Sequence, residues 1–239
     1  MLQIIVTDSF NNSNLPISQV GSVLNLPSSL ATYEMQDSYD YSEKGNNLVL
    51  TPGLSFDRLG LVCSGVEGDY ADTGILEPDS YTVLTAFNAN VPPATTQLWT
   101  TLGTGVTPYN GARQALRTTG ELNSQAFGGD GSTAASANLV SGALANMWEI
   151  YAFTLTNTNM RTYRGSSATF TEAPVLNNRR KSITPLRIAG GYVAPHNIGI
   201  SGHIGFLSVY DGVLTDTQIT DLVAKGKAML IERGANFTW

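Results

Sequence analysis

The chain has 239 residues, 42% of them hydrophobic and only 13% charged, with a formal net charge of −6. That balance excludes a disordered acidic tail, which combines high charge with few aromatics, and a coiled coil, which needs a sustained charged heptad pattern. No apolar run approaches the ~20 residues that a membrane-spanning helix requires, so membrane insertion is not expected.

Polarity comes instead from uncharged groups: 26 Thr, 20 Ser and 18 Asn, twice the number of charged residues. Cys63 is the one cysteine, which excludes an intramolecular disulfide and a cysteine-based zinc cluster. The N-terminal stretch MLQIIVTDSFNNSN lacks a basic region before its short apolar run. It does not read as a secretory signal, and synthesis in a cytoplasm is expected. Charge is unevenly placed: residues 1–110 carry net −9 and residues 111–239 net +3.

Strand signals dominate in chain order. Stretches rich in Val, Thr and aromatics predict strands at Leu2–Thr7, Asn47–Leu50, Arg58–Cys63, Tyr81–Asn88, Gln97–Leu102 and Gln114–Thr118. Others follow at Glu121–Phe127, Trp148–Thr156, Met160–Arg164, Leu186–Ala189 and Gly202–Tyr210. Residues 10–46 are Asn-, Ser-, Tyr- and Asp-rich without periodicity, and residues 1–45 are read as an irregular N-terminal arm. Asn110-Gly111 is a two-residue turn signal. Gly128–Ser132 reads as a flexible loop and Asn177–Ser182 as a basic, exposed one. In the last strand one face would carry Ile204, Phe206, Ser208 and Tyr210 and the other Leu207 and Val209; the pattern leaves open which faces the core.

One helix is expected, over residues 215–233. Thr215-Asp216-Thr217-Gln218 fits a capping box, and Ile219, Leu222, Val223, Gly226 and Leu230 make one apolar face. Gly234 is a natural stop. With no internal repeat and no linker, residues 1–239 read as one domain.

Two segments together resemble the laminin-G-like, concanavalin A-like jelly roll. In the closing segment the matching positions are Gly202, Ile204, Tyr210, Asp211, Leu214, Thr215, Asp216 and Ile219. In the earlier one, Gly65, Asp69, Tyr70, Asp72, Thr73 and Gly74 look like the family's early "G…DY-x-DTG" element. Trp148–Gly165 is similar to its middle strand pair. The resemblance implies an all-β sandwich of two antiparallel sheets with one C-terminal helix. It does not fix the function, because this fold serves lectins, glucanases, lyases and virion proteins alike.

A catalytic reading would rest on Glu67-Gly68-Asp69-Tyr70-Ala71-Asp72, which resembles in outline a glucanase signature of two carboxylates on one strand face. Asp72 replaces the expected Glu and Gly68 weakens a strand, so the motif is judged a decoy and no catalytic residue is assigned. The resemblance implies a calcium ion at the sheet rim in many relatives, for which Asp69, Asp72 and Asp130 are the loop carboxylates here; no cofactor is required. A metal pair of His196 and His203 is the weaker alternative. Glycan binding would use Tyr109, Asn110, Tyr192, His196 and Asn197 in loops, while Trp99 and Trp148 read as core. The partner-contact candidates are Arg179, Arg180, Lys181 and Trp239.

With a net negative chain, one basic loop does not make a nucleic-acid footprint. The combination of neutral hydrogen-bonding surface and irregular arm looks like a bacteriophage structural protein: a capsid decoration, fibre or tail-associated component of a virion. Its partners would be other virion proteins or copies of itself, with adsorption to host surface glycans as a further role. The alternatives are a free-standing lectin-like protein and, third, a glycan hydrolase or lyase.

Overall fold

The computed structural model describes residues 21–103, 109–129 and 135–239. Its strands are β1 (Ser29–Tyr33), β2 (Val49–Leu50), β3 (Ser55–Asp57), β4 (Gly60–Ser64), β5 (Ala71–Asp72), β6 (Tyr81–Ala89), β7 (Thr96–Thr100), β8 (Ala112–Leu116), β9 (Glu121–Gly128), β10 (Ala135–Ala143), β11 (Glu149–Leu155), β12 (Asn159–Arg164), β13 (Thr169–Pro174), β14 (Arg187–Ile188) and β15 (Ser201–Asp211). Helix α1 (Asp216–Glu232) closes the chain.

They form two antiparallel sheets. One runs β13-β12-β11-β6-β15-β4-β3, with β1 joining β15 beyond the end of β4. The other runs β10-β9-β8-β7-β14-β5-β2. The sandwich with one C-terminal helix is therefore the architecture that the jelly-roll resemblance implied.

Two apolar layers hold it. Between the sheets lie Trp99, Phe87, Phe153, Leu98, Ile188 and Val83, all buried. On the other side of the eight-stranded sheet, Phe206, Tyr210, Leu84 and Trp148 meet the helix. This explains why β6 and β11 read as nearly continuous apolar runs: both of their faces are covered. β9 instead alternates, because only one of its faces is buried.

The capping box forms as expected: Thr215 accepts from the Gln218 amide, and the Gln218 side chain accepts from the Thr215 amide. The predicted helix face is the buried one, at Ile219, Leu222, Val223, Gly226 and Leu230. Gly226 is required by close approach, since a Cβ there would lie 2.5 Å from the Phe206 ring.

β15 departs from simple alternation. A register shift between Ile204 and Phe206 turns Ile204 inward with Leu207 and Val209, while Phe206 and Tyr210 face the helix. The expectation that Ile204 shares a face with Phe206 fails because of this bulge.

Within the stretch read as an irregular arm, Ser29–Tyr33 forms β1, and the following loop is built around buried Asp40. The Asp40 carboxylate accepts from the amides of Thr32, Ser42 and Asn46. The expected strand Leu2–Thr7 lies outside the described residues.

Candidate functional site

Helix α1 packs on the eight-stranded sheet, so among the described residues no helix covers the outer face of the other sheet. Register fixes which residues occupy it. Ala112, Gln114 and Leu116 face inward with Ala126, Ser124 and Leu122 opposite them. Arg113 and Ala115 must therefore face outward, with Gln125 and Asn123 as partners. Following the pairings sideways gives one row across all seven strands: Asn138, Gln125, Arg113, Thr100, Arg187, Asp72 and Val49. A second row holds Val140, Asn123, Ala115 and Gln97. A bulge in β7 between Gln97 and Trp99 turns both Leu98 and Trp99 into the core, which keeps Gln97 outward.

The loop 189–199 lies over this face. Its main chain is tied down where Gln97 donates to the Ile198 carbonyl and accepts from the Ile200 amide. Gly199 permits the crossing, because a Cβ there would sit 1.7 Å from the Ala189 carbonyl oxygen. Beneath it Gln97 is fully buried, and neither atom of its side-chain amide has a hydrogen-bond partner among the described residues.

The loop places two of the predicted residues on the polar row. Tyr192 covers Arg187, whose guanidinium carbon is 3.7 Å from that ring and 3.6 Å from the Tyr70 ring on its other side. Arg187 also pairs with Asp72 at 3.3 Å. The Tyr192 hydroxyl donates to the Pro185 carbonyl. Burial, with Asp72 nearby, pushes its phenol up to about 12.

His196 sits beside Arg113, its Nδ1 2.8 Å from a guanidinium nitrogen. Burial first, and Arg113 second, push the imidazole down to about 4. It is thus neutral near pH 7, and Nδ1 accepts while Nε2 carries the proton. Arg113 donates its Nε proton to Gln125 at 2.6 Å, and burial lowers its own pKa to about 10 against the pull of Tyr109. Tyr109 completes the group, with its ring centroid 5.9 Å from His196 and 5.3 Å from Phe127. Among the described residues the face therefore offers aromatic edges and several amides, around two guanidiniums that neighbouring side chains hold in place. An amide both donates and accepts, which matches the paired character of sugar hydroxyls.

The remaining candidates are placed as follows. Asn110 is buried and accepts from the Gly103 amide, so it builds the turn next to Tyr109. Asn197 donates to the Glu67 carboxylate at 2.5 Å. Glu67 is exposed in the loop between β4 and β5, and Asp69 accepts from Ser64 and Thr51, so the two carboxylates do not share a strand face. Asp72 is taken by Arg187 and the Gly74 amide. Asp130 lies outside the described residues, among which no three His, Cys, Asp or Glu stand close enough to hold a metal. His203 belongs to the eight-stranded sheet, where it pairs with Asp57 at 2.9 Å.

The Asn177–Ser182 loop is not exposed throughout. Arg179 is buried and donates to the Pro78 carbonyl, with its guanidinium carbon over the Tyr81 ring at 5.5 Å, because its backbone is held by Asn157 and Gly128. Arg180 is half-buried and Lys181 pairs with exposed Asp79. Trp239 folds back on its own chain: its indole donates to the Trp148 carbonyl and Lys227 caps its ring at 3.9 Å. Trp99 and Trp148 are buried as expected, with the Trp99 indole donating to Gln114. Sequence reasoning missed Arg113, Asn123, Gln125 and Asn138. The alternation within Glu121–Phe127 was the signal available for Asn123 and Gln125.

No protein-family model and no curated protein sequence matches the chain. Solved structures do. The receptor-binding domain of botulinum neurotoxin D superposes with a TM-score of 0.61 at 10% identity, covering 82% of this chain and 52% of that one. Domain 4 of AbnA, an extracellular arabinanase from Geobacillus stearothermophilus solved with arabinotriose, gives 0.57 at 17% identity, covering 81% and 97%. The CBM40 of the Ruminococcus gnavus IT-sialidase, bound to α2,3 sialyllactose, gives 0.52 at 14% identity, covering 66% and 92%. The chain thus spans about half the length of the toxin domain and nearly all of the two smaller modules. At these identities the likeness shows the fold.

Proposed function

We propose that this chain is a non-catalytic glycan-binding module that receives its ligand on the outer face of the seven-stranded sheet. The observation that carries the reading is the row of Asn138, Gln125 and Arg113, flanked by Tyr109 and His196. Amides there can follow the hydroxyls of a sugar, and the aromatic edges can meet its C–H face. The two small modules that it resembles are described with arabinotriose and sialyllactose bound, which supports the class without naming this chain's ligand. Against catalysis stand Glu67 and Asp69, each engaged by neighbours in a loop rather than aligned across a cleft.

A glycan array on the intact chain tests this. Specific binding that weakens about tenfold in Tyr109→Ala or Gln125→Ala, the effect of one lost contact of ~1.4 kcal/mol, supports it. An array with no specific signal refutes it.

The setting we propose is the exterior of a virion, as a decoration, fibre or tail-associated subunit contacting other virion proteins or its own copies. Arg180 and Lys181 remain candidates for such contacts. Calcium at Asp69 and Asp72 would have to displace the Ser64, Thr51 and Arg187 partners, so it is no part of the proposal. Labelling purified particles with antibody to the chain tests the setting, and unlabelled particles would refute it.

A further inference from the structure

The two sheets part at the seam where β10 faces β12 and β13. Between them lies a cavity of about 210 Å³. That is below the 300–1,000 Å³ of drug-sized pockets, so it suits a single ring. Its lining is apolar at Leu122, Leu139 and the Tyr151 ring, and hydroxylic at Ser124, Thr162, Ser167, Thr169 and Thr171.

Hydrogen-bond accounting leaves this cavity with spare donors. The Thr162 and Thr171 hydroxyls bond each other at 2.9 Å, and those of Ser167 and Thr169 at 2.6 Å. In each pair one oxygen donates, so the other's proton is left over. Ser124 accepts from Gln114, and its own proton has no acceptor among the described residues. Arg164 adds more. Its Nε donates to Glu149 at 2.9 Å and to Ser166 at 2.7 Å, while neither of its amino groups has a partner among the described residues. Glu149 is fully buried and held by the Ile150 and Ser166 amides and the Ser166 hydroxyl. It therefore fixes the guanidinium and leaves the fork of amino groups toward the cavity.

Donors in surplus call for a ligand rich in acceptors, and a fixed guanidinium fork matches a carboxylate. We propose that this seam is a second ligand site, for one carboxylate-bearing sugar ring of the hexuronate class. The carboxylate meets Arg164, the ring hydroxyls meet the Ser and Thr hydroxyls, and the ring's apolar face lies on Tyr151 and Leu139. Because Glu149 already neutralises Arg164, the affinity rests on geometry and is modest.

Titration calorimetry with sodium D-glucuronate, and with D-glucose as the neutral control, tests it. Glucuronate should saturate the intact chain below about 10 mM and bind about tenfold or more tighter than glucose, the value of one charge-assisted hydrogen bond. Arg164→Lys keeps a charge for Glu149 but removes the fork, and should lose that tenfold preference. Leu139→Trp fills the cavity without touching the ion pair and should abolish binding, which decides the matter even if the Arg164 variant fails to fold. Absence of saturation, equal affinity for glucose, or undiminished binding in Leu139→Trp would overturn the assignment.

Discussion

Replacing Gln97 by Met should stabilise the protein. Gln97 is fully buried under the loop 189–199, and both atoms of its amide are without partners among the described residues. Its backbone bonds to Ile198 and Ile200 do not depend on the side chain. Burying an unpaired polar group costs about 1–3 kcal/mol, and Met has nearly the same shape with no such debt of hydrogen bonds. A chain of 150–250 residues gains about 2–4 °C in Tm per kcal/mol, so the variant should melt roughly 2–12 °C higher. Urea denaturation followed by tryptophan fluorescence should show a higher midpoint at unchanged slope. A lower midpoint would refute the reasoning, because it would mean that the amide is hydrogen-bonded in solution and that the covered face is wetter than the geometry implies.

Three further outcomes follow from the same structure. His196 has its pKa depressed to about 4 by burial and then by Arg113, so the unfolded chain takes up a proton near pH 6.5 that the folded chain refuses. Its contribution is fully present above that pH and is lost as pH falls from about 6.5 to about 4; the midpoint difference between wild type and His196→Gln, measured at pH 7 and pH 4.5, should change in that sense, and a pH-independent difference would contradict it. Gly226→Ala pushes a methyl group into Phe206, costing about 1–3 kcal/mol against about 1 kcal/mol gained in helix propensity, and the combination with Phe206→Leu should be less than additive in a double-mutant cycle. Thr215→Ala removes the observed cap and should cost about 1 kcal/mol in the same denaturation assay.

What the sequence made legible were the elements whose pattern is local. The helix was readable in full because its cap, its face from Ile219 to Leu230 and its stop at Gly234 are all short-range signals. The long central strands β6, β11 and β15 were readable from their apolar content. β13 was not, because Thr169–Pro174 is an exposed edge with Glu172 and Pro174 in it. β10 was missed for a related reason: Ala, Ser and Asn dominate it, and none favours a strand.

Of the candidate site, the loop residues Tyr109, Tyr192 and His196 were visible as exposed-type aromatics near turns. Tyr192 turned out to spend its ring on Arg187, a stacking that no spacing could reveal, since Tyr70, Arg187 and Asp72 meet only through the β14–β5 pairing. Arg113 was hidden for the same reason: its partners, Gln125 and His196, lie 12 and 83 residues away. Sheet register, which sets what shares a face, is a property of strand pairing that alternation alone leaves undetermined.

The most direct test of the glycan-binding account is to map the side-chain amide signals of Asn and Gln by NMR while titrating the strongest array ligand. The account predicts that Asn123, Gln125 and Asn138 shift with saturation, together with the His196 ring. Shifts confined to the helix side of the molecule, or none on the outer face of the seven-stranded sheet, would contradict it.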